Sequence, residues 1–548
     1  MSKIKIFALG GQNENGKNMY IVEVNKDIFV FDAGLKYADD KMLGIDYIIP
    51  DFDYLKKNID RVKGIFITHG HDEHMGALSN ILKELPTLKV YATAFTLEII
   101  KEDLKSAGLP LDNLVLIKPH RKIEFGENSI FPISLTHTVP DTVGYALYTK
   151  DGVIFYTGNF VFDPTMLGHY KTDIGKLAYV GKQGVLCLMS ESLYADKKGF
   201  TSPRHRTREA ISEILNKNEG RILFNIHQAQ LYRIQELLNE IKPTARKVVI
   251  MGKRLESVIL KAIDLKYLSF DKKRIGNIHH VNDDKVVIIV SDEVERPFSN
   301  LQRIVKGYDK FVKITDQDTV VFGSPILDGM EHTATKLMDN IAKIGANVET
   351  LSTKKYLSHH ASSEDLMLMI DLMRPKYYFP VIGEYRHQAE NAKVAKQLGM
   401  TDDNILLKLN GEVAYFENGK LIDRSMKVPV DDILIDGLSA GDVGELVLKD
   451  RELLSDNGIV IITATIDRKT KELLAGPEVL TRGFIFVKEN TKVIKEAEKI
   501  SLELIKEHIK ESHIDFSKIK NDVRDKVGKY FYKETECKPM VLIVIEEV

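Results

Sequence analysis

An apolar run, Gly64 to Ile67, leads straight into Thr68-His69-Gly70-His71-Asp72-Glu73-His74, and no other stretch constrains the chain so tightly. Three imidazoles and two carboxylates in so short a turn are costly to hold together unless a cation that prefers neutral imidazole collects them. Zinc and manganese have that preference. His69 and His71 lie two residues apart, so on an extended loop their rings can meet at one ion, while Glu73 and His74 face a neighbouring position. The competing reading is a polar turn whose histidines serve surface hydrogen bonds. The placement of the turn argues against it, because the turn closes a strand and Met75-Gly76-Ala77 opens a helix behind it. His137, within Leu135-Thr136-His137-Thr138-Val139-Pro140-Asp141, ends another apolar run and adds an imidazole to the first pair.

The surroundings read as layered α/β structure. Short runs rich in Ile, Val and Phe, closed by Gly, Asp or His, predict strands at Lys5 to Leu9, Met19 to Val24, Ile28 to Phe31 and Val153 to Tyr156. Helices are predicted over Gly76 to Leu85 and Ala94 to Ala107. From about Ser202, helical and strand patterns alternate through Arg206 to Lys217, Arg221 to Asn225, Gln230 to Ile241, Lys247 to Met251, Arg254 to Leu265 and Lys285 to Val290. That rhythm predicts a parallel sheet. The pattern of the first domain returns at Glu364 to Met373 and Tyr377 to Val381, so the second domain reads as an insertion into a loop of the first, where insertion costs little. A compact α/β tail closes the chain, with strands Gly458 to Ile466 and Pro539 to Ile545 and helices over Val493 to Lys510 and about Phe516 to Tyr532. In the first of those helices Val493, Ile494, Ala497, Ile500, Leu504 and Ile505 form one apolar stripe. It is expected either to bury a second subunit's surface or to pack on the tail's own strands.

Composition removes several classes of function. With Lys+Arg at 77 against Asp+Glu at 79, the overall field does not steer the 548-residue chain toward a polyanion, so any nucleic-acid footprint is local. A shallow basic patch is expected at Arg204, His205, Arg206 and Arg208, with solvated charges before a helix as the plainer alternative. The two cysteines, Cys187 and Cys537, form no C-x-x-C pair and are expected to be buried small hydrophobes rather than metal thiolates or a disulfide. The N-terminus lacks a signal-peptide pattern, and no stretch offers the roughly 20 consecutive apolar residues of a membrane span, so a cytoplasmic chain without membrane contact is expected.

An ordered series of motifs resembles the ribonuclease J family, among the β-CASP nucleases of the metallo-β-lactamase superfamily. It comprises Gly10-Gly11-Gln12-Asn13-Glu14-Asn15-Gly16-Lys17-Asn18-Met19, Phe31-Asp32-Ala33-Gly34-Leu35, the histidine turn, His137 with Pro140-Asp141, and Thr157-Gly158-Asn159-Phe160. Late members are Arg374-Pro375-Lys376-Tyr377, Pro380-Val381-Ile382-Gly383-Glu384-Tyr385-Arg386, Gly476-Pro477-Glu478 and Thr481-Arg482-Gly483-Phe484. The resemblance implies an α/β fold, a metallo-β-lactamase αββα sandwich with an inserted β-CASP α/β domain and a small C-terminal α/β domain. The implied boundaries are 1–205 and 356–425 for the two parts of the first domain, 206–355 for the insertion, 426–450 for a linker and 451–548 for a dimerisation domain.

In that family His69, His71 and His137 would bind one metal. The second would take an Asp at the place of Glu73, then His74, a bridging Asp at Asn159 and a His at Ile382. The departures therefore collect on one position, and at most one tightly bound Zn²⁺ or Mn²⁺ is expected. Asp32, Glu73 and Asn159 are the candidate catalytic residues, Asp32 acting by orienting a ligand histidine, with a turn-capping Asp as its plainer role. Ser358 and His360 retain the family's phosphate-binding stretch in an ungapped alignment, while a shifted register would put His359 or His360 at its head. The implied function is 5′-to-3′ exonucleolytic or endonucleolytic hydrolysis of single-stranded RNA, weakened by the missing ligands. These losses resemble a weakly active second paralogue in some low-GC Gram-positive bacteria. The alternative is a non-catalytic subunit that stabilises an active ribonuclease J. A homo-dimer or tetramer, or a hetero-oligomer with an active paralogue, is the expected assembly.

Overall fold

The computed structural model describes residues 2–38, 42–227, 230–281, 285–291, 298–326, 330–351, 359–423, 425–437, 439–440, 445–485, 490–510 and 514–548. Two compact units emerge: residues 1–37 with 47–433, and residues 38–46 with 434–548.

The larger unit is built on two sheets packed face to face. The eight-stranded sheet runs, from one edge, through Lys420–Asp423, Ala414–Glu417, Lys3–Gly10, Met19–Val24, Asp27–Phe31, Val62–Phe66, Val90–Ala92 and Leu114–Leu116. The six-stranded sheet runs through Tyr377–Pro380, Val185–Ser190, Gly152–Tyr156, Val143–Thr149, Asn128–Ser134 and Ile123–Phe125. Phe29, Phe31 and Phe66 from one sheet meet Tyr145, Leu147 and Tyr156 from the other in a single buried core. Parallel pairing of Val62–Phe66, Val90–Ala92 and Leu114–Leu116 requires crossovers, and Leu78–Glu84 and Ala94–Ser106 supply helices for them. Helices Ile174–Lys182 and Ser363–Met373 cover the outer face of the second sheet through Leu177, Val180, Leu366 and Met369. This is the expected αββα sandwich.

The insertion leaves the sandwich after Val185–Ser190 and returns as Tyr377–Pro380, which pairs in parallel beside it, Cys187 opposite Tyr377 and Ser190 opposite Pro380. Between them lies the six-stranded sheet that the alternating pattern predicts, all parallel, with Ile222–Asn225 at its centre flanked by Val287–Val290 and Thr319–Phe322. Its central strands are fully buried and mostly apolar because helices cover both faces, while the edge strand Asn347–Thr350 is polar and partly exposed. Cys187 is fully buried and its thiol is pushed up by burial, while Cys537 is only half-buried, short of the expected burial.

In the smaller unit Ile459–Ile466 is the middle of a three-stranded sheet, between Leu473–Arg482 and Met540–Glu547. The stripe on helix Thr491–Ile509 turns inward: Ile494, Ala497, Leu504 and Ile505 are buried with Val460, Ile462 and Val541, and Val493 and Ile500 pack against the same cluster. The stripe is spent on the unit's own core, where, among the described residues, this helix and Phe516–Thr535 cover the three-stranded sheet. No described helix is long and apolar enough to cross a membrane.

Candidate metal centre

The strand ends deliver the histidines. Val62–Phe66 passes into the turn, His71 precedes the short helix Asp72–Met75, and His137 follows Asn128–Ser134 in the facing sheet. The segment after Asp27–Phe31 lies along the turn: the Ala33 N–H donates to the His74 carbonyl at 2.7 Å and the Leu35 N–H to the Asp72 carbonyl at 3.0 Å. The approach is so close that a Cβ on Gly34 would lie 1.7 Å from the Glu73 carbonyl oxygen, so glycine is required there.

His69, His71 and His137 come together, one ring nitrogen of each within 4.8 Å of the others, and all three are buried. The opposite nitrogen of each ring is tied down. His69 Nδ1 lies 2.9 Å from Thr68 Oγ1, His71 Nε2 lies 2.9 Å from Thr138 Oγ1, and His137 Nδ1–H donates to the His359 carbonyl at 2.9 Å. With protons on those outer nitrogens, the inner ones present lone pairs to each other: His69 Nε2 and His71 Nδ1 are 3.1 Å apart. His137 Nε2 is buried without any hydrogen-bond partner. Lone pairs converging in a dry site repel unless a cation lies among them, and an outer-shell hydrogen bond on each ring is the usual support of a metal ligand. Burial, and then the neighbouring imidazoles, hold His69 and His137 well below the ordinary histidine range, which keeps them neutral, the form a metal requires. The donor set fits a single zinc- or manganese-like ion.

The adjoining position is built differently. His69, Glu73 and His74 also bring one atom each within 4.8 Å of one another. His74 Nδ1–H donates to Asp32 Oδ2 at 2.7 Å, and its other nitrogen, Nε2, receives the side-chain amide of Asn159 at 3.1 Å. Asn18 Nδ2 stands 3.4 Å from the same atom. An N–H pointed at His74 Nε2 occupies the lone pair a metal would need. Asn159 Oδ1 is left buried and unpartnered. Ile382 is 1% exposed, with its side chain in the sheet core. Its φ of +58° is a conformation β-branched residues rarely adopt. Its N–H donates to Tyr20 Oη at 3.0 Å and its carbonyl accepts from Ser192 N at 3.1 Å. These two bonds hold the strained turn.

Asp32 reaches both halves. Besides His74, it accepts from the Thr68 N–H at 2.8 Å, from Tyr156 Oη at 2.7 Å and from Thr68 Oγ1 at 3.0 Å, and the Thr68 hydroxyl in turn meets His69. Its hydrogen bonds thus reach His74 directly and His69 through Thr68. Glu73 turns toward His71, Oε1 lying 3.2 Å from Nδ1.

His360 stands on the rim, its ring 5.5 Å from that of His137, with Nδ1–H donating to Glu191 Oε2 at 2.8 Å. The fully buried Glu191 also accepts from the Phe160 N–H at 2.6 Å. Sequence reasoning missed Glu191, although a carboxylate closing the apolar strand Val185–Ser190 was a visible signal. Ser358 lies outside the described residues. His359 does not line the site; it is buried against His205 and Tyr232. Of the basic patch expected at 204–208, His205 is fully buried beside Asp163 and is no surface group. Arg206 forms a bidentate pair with Asp163, while Arg204 and Arg208 are exposed, Arg208 pairing with Glu240 at 2.7 Å.

Fold and site together define a metallo-hydrolase scaffold of the metallo-β-lactamase superfamily with a β-CASP insertion. Residues 13–183 match the metallo-beta-lactamase superfamily, 219–341 the ribonuclease J beta-CASP domain, 344–406 the Zn-dependent metallo-hydrolase RNA specificity domain and 446–548 the ribonuclease J C-terminal domain. The chain is 37% identical to Ribonuclease J2 of Bacillus subtilis (strain 168), over 100% of this chain and 99% of that protein. It is 35% identical to Ribonuclease J 2 of Staphylococcus aureus (strain NCTC 8325 / PS 47), over 100% and 98%. The chain belongs to the ribonuclease J family. A protein of unknown function from Enterococcus faecalis V583 shares the fold in its crystal structure, at 16% identity and a TM-score of 0.51, over 76% of this chain and 100% of that one.

Proposed function

We propose that the chain is a ribonuclease J-type subunit that hydrolyses single-stranded RNA with weakened turnover, using one tightly held Zn²⁺ or Mn²⁺ on His69, His71 and His137. The observation that carries this is the convergence of three imidazole nitrogens whose rings are fixed from behind by Thr68, Thr138 and the His359 carbonyl. When bound, the cation supplies Lewis-acid stabilisation of the phosphoryl oxygens and acidifies water. The chain's own residues do the rest. Asp32 keeps His74 and, through Thr68, His69 in their orientations. Glu191 fixes the orientation of the His360 ring beside His137, where it faces the scissile phosphate. Asn159 and Ile382 supply no charge to a second ion, so the phosphoryl group is neutralised from one side only.

One observation favours a second reading, a non-catalytic partner that stabilises an active ribonuclease J paralogue: the Asn159 amide already satisfies His74. Metal analysis, cleavage of an unstructured 5′-monophosphorylated RNA by wild type and His137→Ala, and light scattering with and without the active paralogue separate the two. Manganese-dependent cleavage lost in His137→Ala supports the hydrolase. No cleavage in either, with a stable mixed complex, supports the partner.

A further inference from the structure

We infer that the outer end of the inserted domain carries a second contact site for single-stranded RNA, formed by Tyr308, Phe311 and His279 with Lys306, Lys310 and Lys313; this rests on reading the chain as an RNA-acting subunit. The residues lie on two loops at the N-terminal ends of the parallel strands, one between helix Ser299–Val305 and strand Thr319–Phe322, the other leading to Val287–Val290. The opposite end of that sheet meets the metallo-β-lactamase layers, where the Tyr232 N–H donates to the Thr138 carbonyl at 2.8 Å. The patch therefore lies away from the histidine cluster.

Tyr308 is 75% exposed and Phe311 44%, yet the loop that presents them is firmly built. After the helix, Gly307 turns at φ +72°, its N–H donating to the Ile304 carbonyl, and the Tyr308 N–H donates to the Arg303 carbonyl, both at 2.9 Å. Asp309 Oδ1 accepts from the N–H groups of Phe311 and Val312 at 2.8 and 2.9 Å, and Val312 is fully buried. Arg221 locks the second loop to the first by donating to the carbonyls of Val281 at 2.9 Å and Lys313 at 2.6 Å. His279 then stands edge-on to Phe311, ring centroids 6.0 Å apart.

The result is a preorganised pair of aromatic faces three residues apart among cations. Of the loop's three carboxylates, Asp309 is taken by Arg303 at 3.0 Å and Asp318 by Arg221 at 2.7 Å, Asp316 is exposed beside Gly345, and among the described residues none of the three exposed lysines makes an ion pair. Unstacked bases bind aromatic faces regardless of sequence, and lysines follow the phosphates. A duplex keeps its base faces stacked inside and has no use for such rings, so the chemistry selects single strands.

The test is fluorescence anisotropy of a 3′-fluorescein 12-mer of oligouridylate with full-length protein. Tyr308→Ala with Phe311→Ala is expected to weaken binding about tenfold at fixed salt, while Tyr308→Phe with Phe311→Tyr retains affinity and so excludes a folding defect. Lys306→Glu with Lys310→Glu and Lys313→Glu is expected to flatten the log K against log salt slope by about 2, at roughly 0.7 per single-strand phosphate. Wild-type affinity in the alanine variant overturns the site and leaves the proposed function standing. Equal loss on a 12-base-pair RNA duplex, or a change in oligomeric mass without loss of RNA affinity, also overturns it, the latter marking a protein contact. A wild-type chain that binds no oligonucleotide overturns both readings.

Discussion

The two halves of the histidine cluster share one turn, one supporting carboxylate and the same pair of sheets, yet they differ in what their inner atoms meet. At His69, His71 and His137 every outer nitrogen is tied and the inner nitrogens face one another. At His74 the outer nitrogen is tied just as well, but the inner one meets the amide of Asn159. Nearby, Ile382 keeps a backbone conformation that suits few side chains of its kind. Both halves have their backbone and outer nitrogens held, and they differ in the side chains that meet the inner nitrogens. Hydrogen bonds accepted by Asp32 and Tyr20 fix the second half independently of any ion.

The comparison is broken most directly at the intact half. His137→Ala is expected to lower tightly bound metal from about one ion per chain to below about a tenth, read by elemental analysis after gel filtration, because two imidazoles alone make a poor zinc site. Two stoichiometric ions in the wild type would erase the distinction between the halves.

Next comes repair of the other half. Asn159→Asp with Ile382→His is expected to raise manganese-dependent turnover on 5′-monophosphorylated RNA more than about tenfold, equivalent to roughly 1.4 kcal/mol of barrier. A second bound ion without faster turnover would move the deficit away from the metals, toward His360 and its surroundings.

A smaller effect isolates the strain. Ile382→Gly relieves the φ of +58° but also empties a core position, whereas Ile382→Leu keeps the apolar volume and removes the β-branch that conformation disfavours. Ile382→Leu is therefore expected to melt at or above the temperature of Ile382→Val, which keeps the β-branch. The reverse order in thermal denaturation would show that the turn is unstrained.

The smallest effect uses a buried histidine outside the cluster as a control. Burial pushes His205 down to about 4, only partly offset by Asp163. The unfolded chain, with an ordinary value near 6.5, binds more protons between about pH 6.5 and 4. Stability is therefore full above that window and falls as pH drops through it. His205→Asn is expected to shallow the decline in melting temperature, with or without added metal; an unchanged decline would remove His205 from the acid response.

Much of this was legible because it is local. The histidine turn announces itself within six residues, and the parallel sheet of the insertion shows in unbroken runs such as Val287–Val290. What stayed hidden depends on residues far apart in sequence. Glu191 acquires meaning only when His360, 169 positions away, folds onto it, and His71 finds Thr138 across 67 positions. The stripe on helix Thr491–Ile509 was visible, but periodicity reports that a face is buried and not against what. Likewise His205 and Arg206 read as surface charge until Asp163 draws them in.

The bracketing of the insertion by neighbouring strands bears on when the molecule can assemble. Val185–Ser190 waits for Tyr377–Pro380 to complete its sheet edge, and Lys3–Gly10 waits for Ala414–Glu417. During synthesis from the N-terminus, the histidine turn is thus made early but sits in a sandwich with open edges until the chain beyond residue 417 emerges. Pairings of such long sequence separation form slowly, and exposed strand edges invite association. The inserted domain, whose sheet closes within residues 222–350, is the part that can fold first and wait.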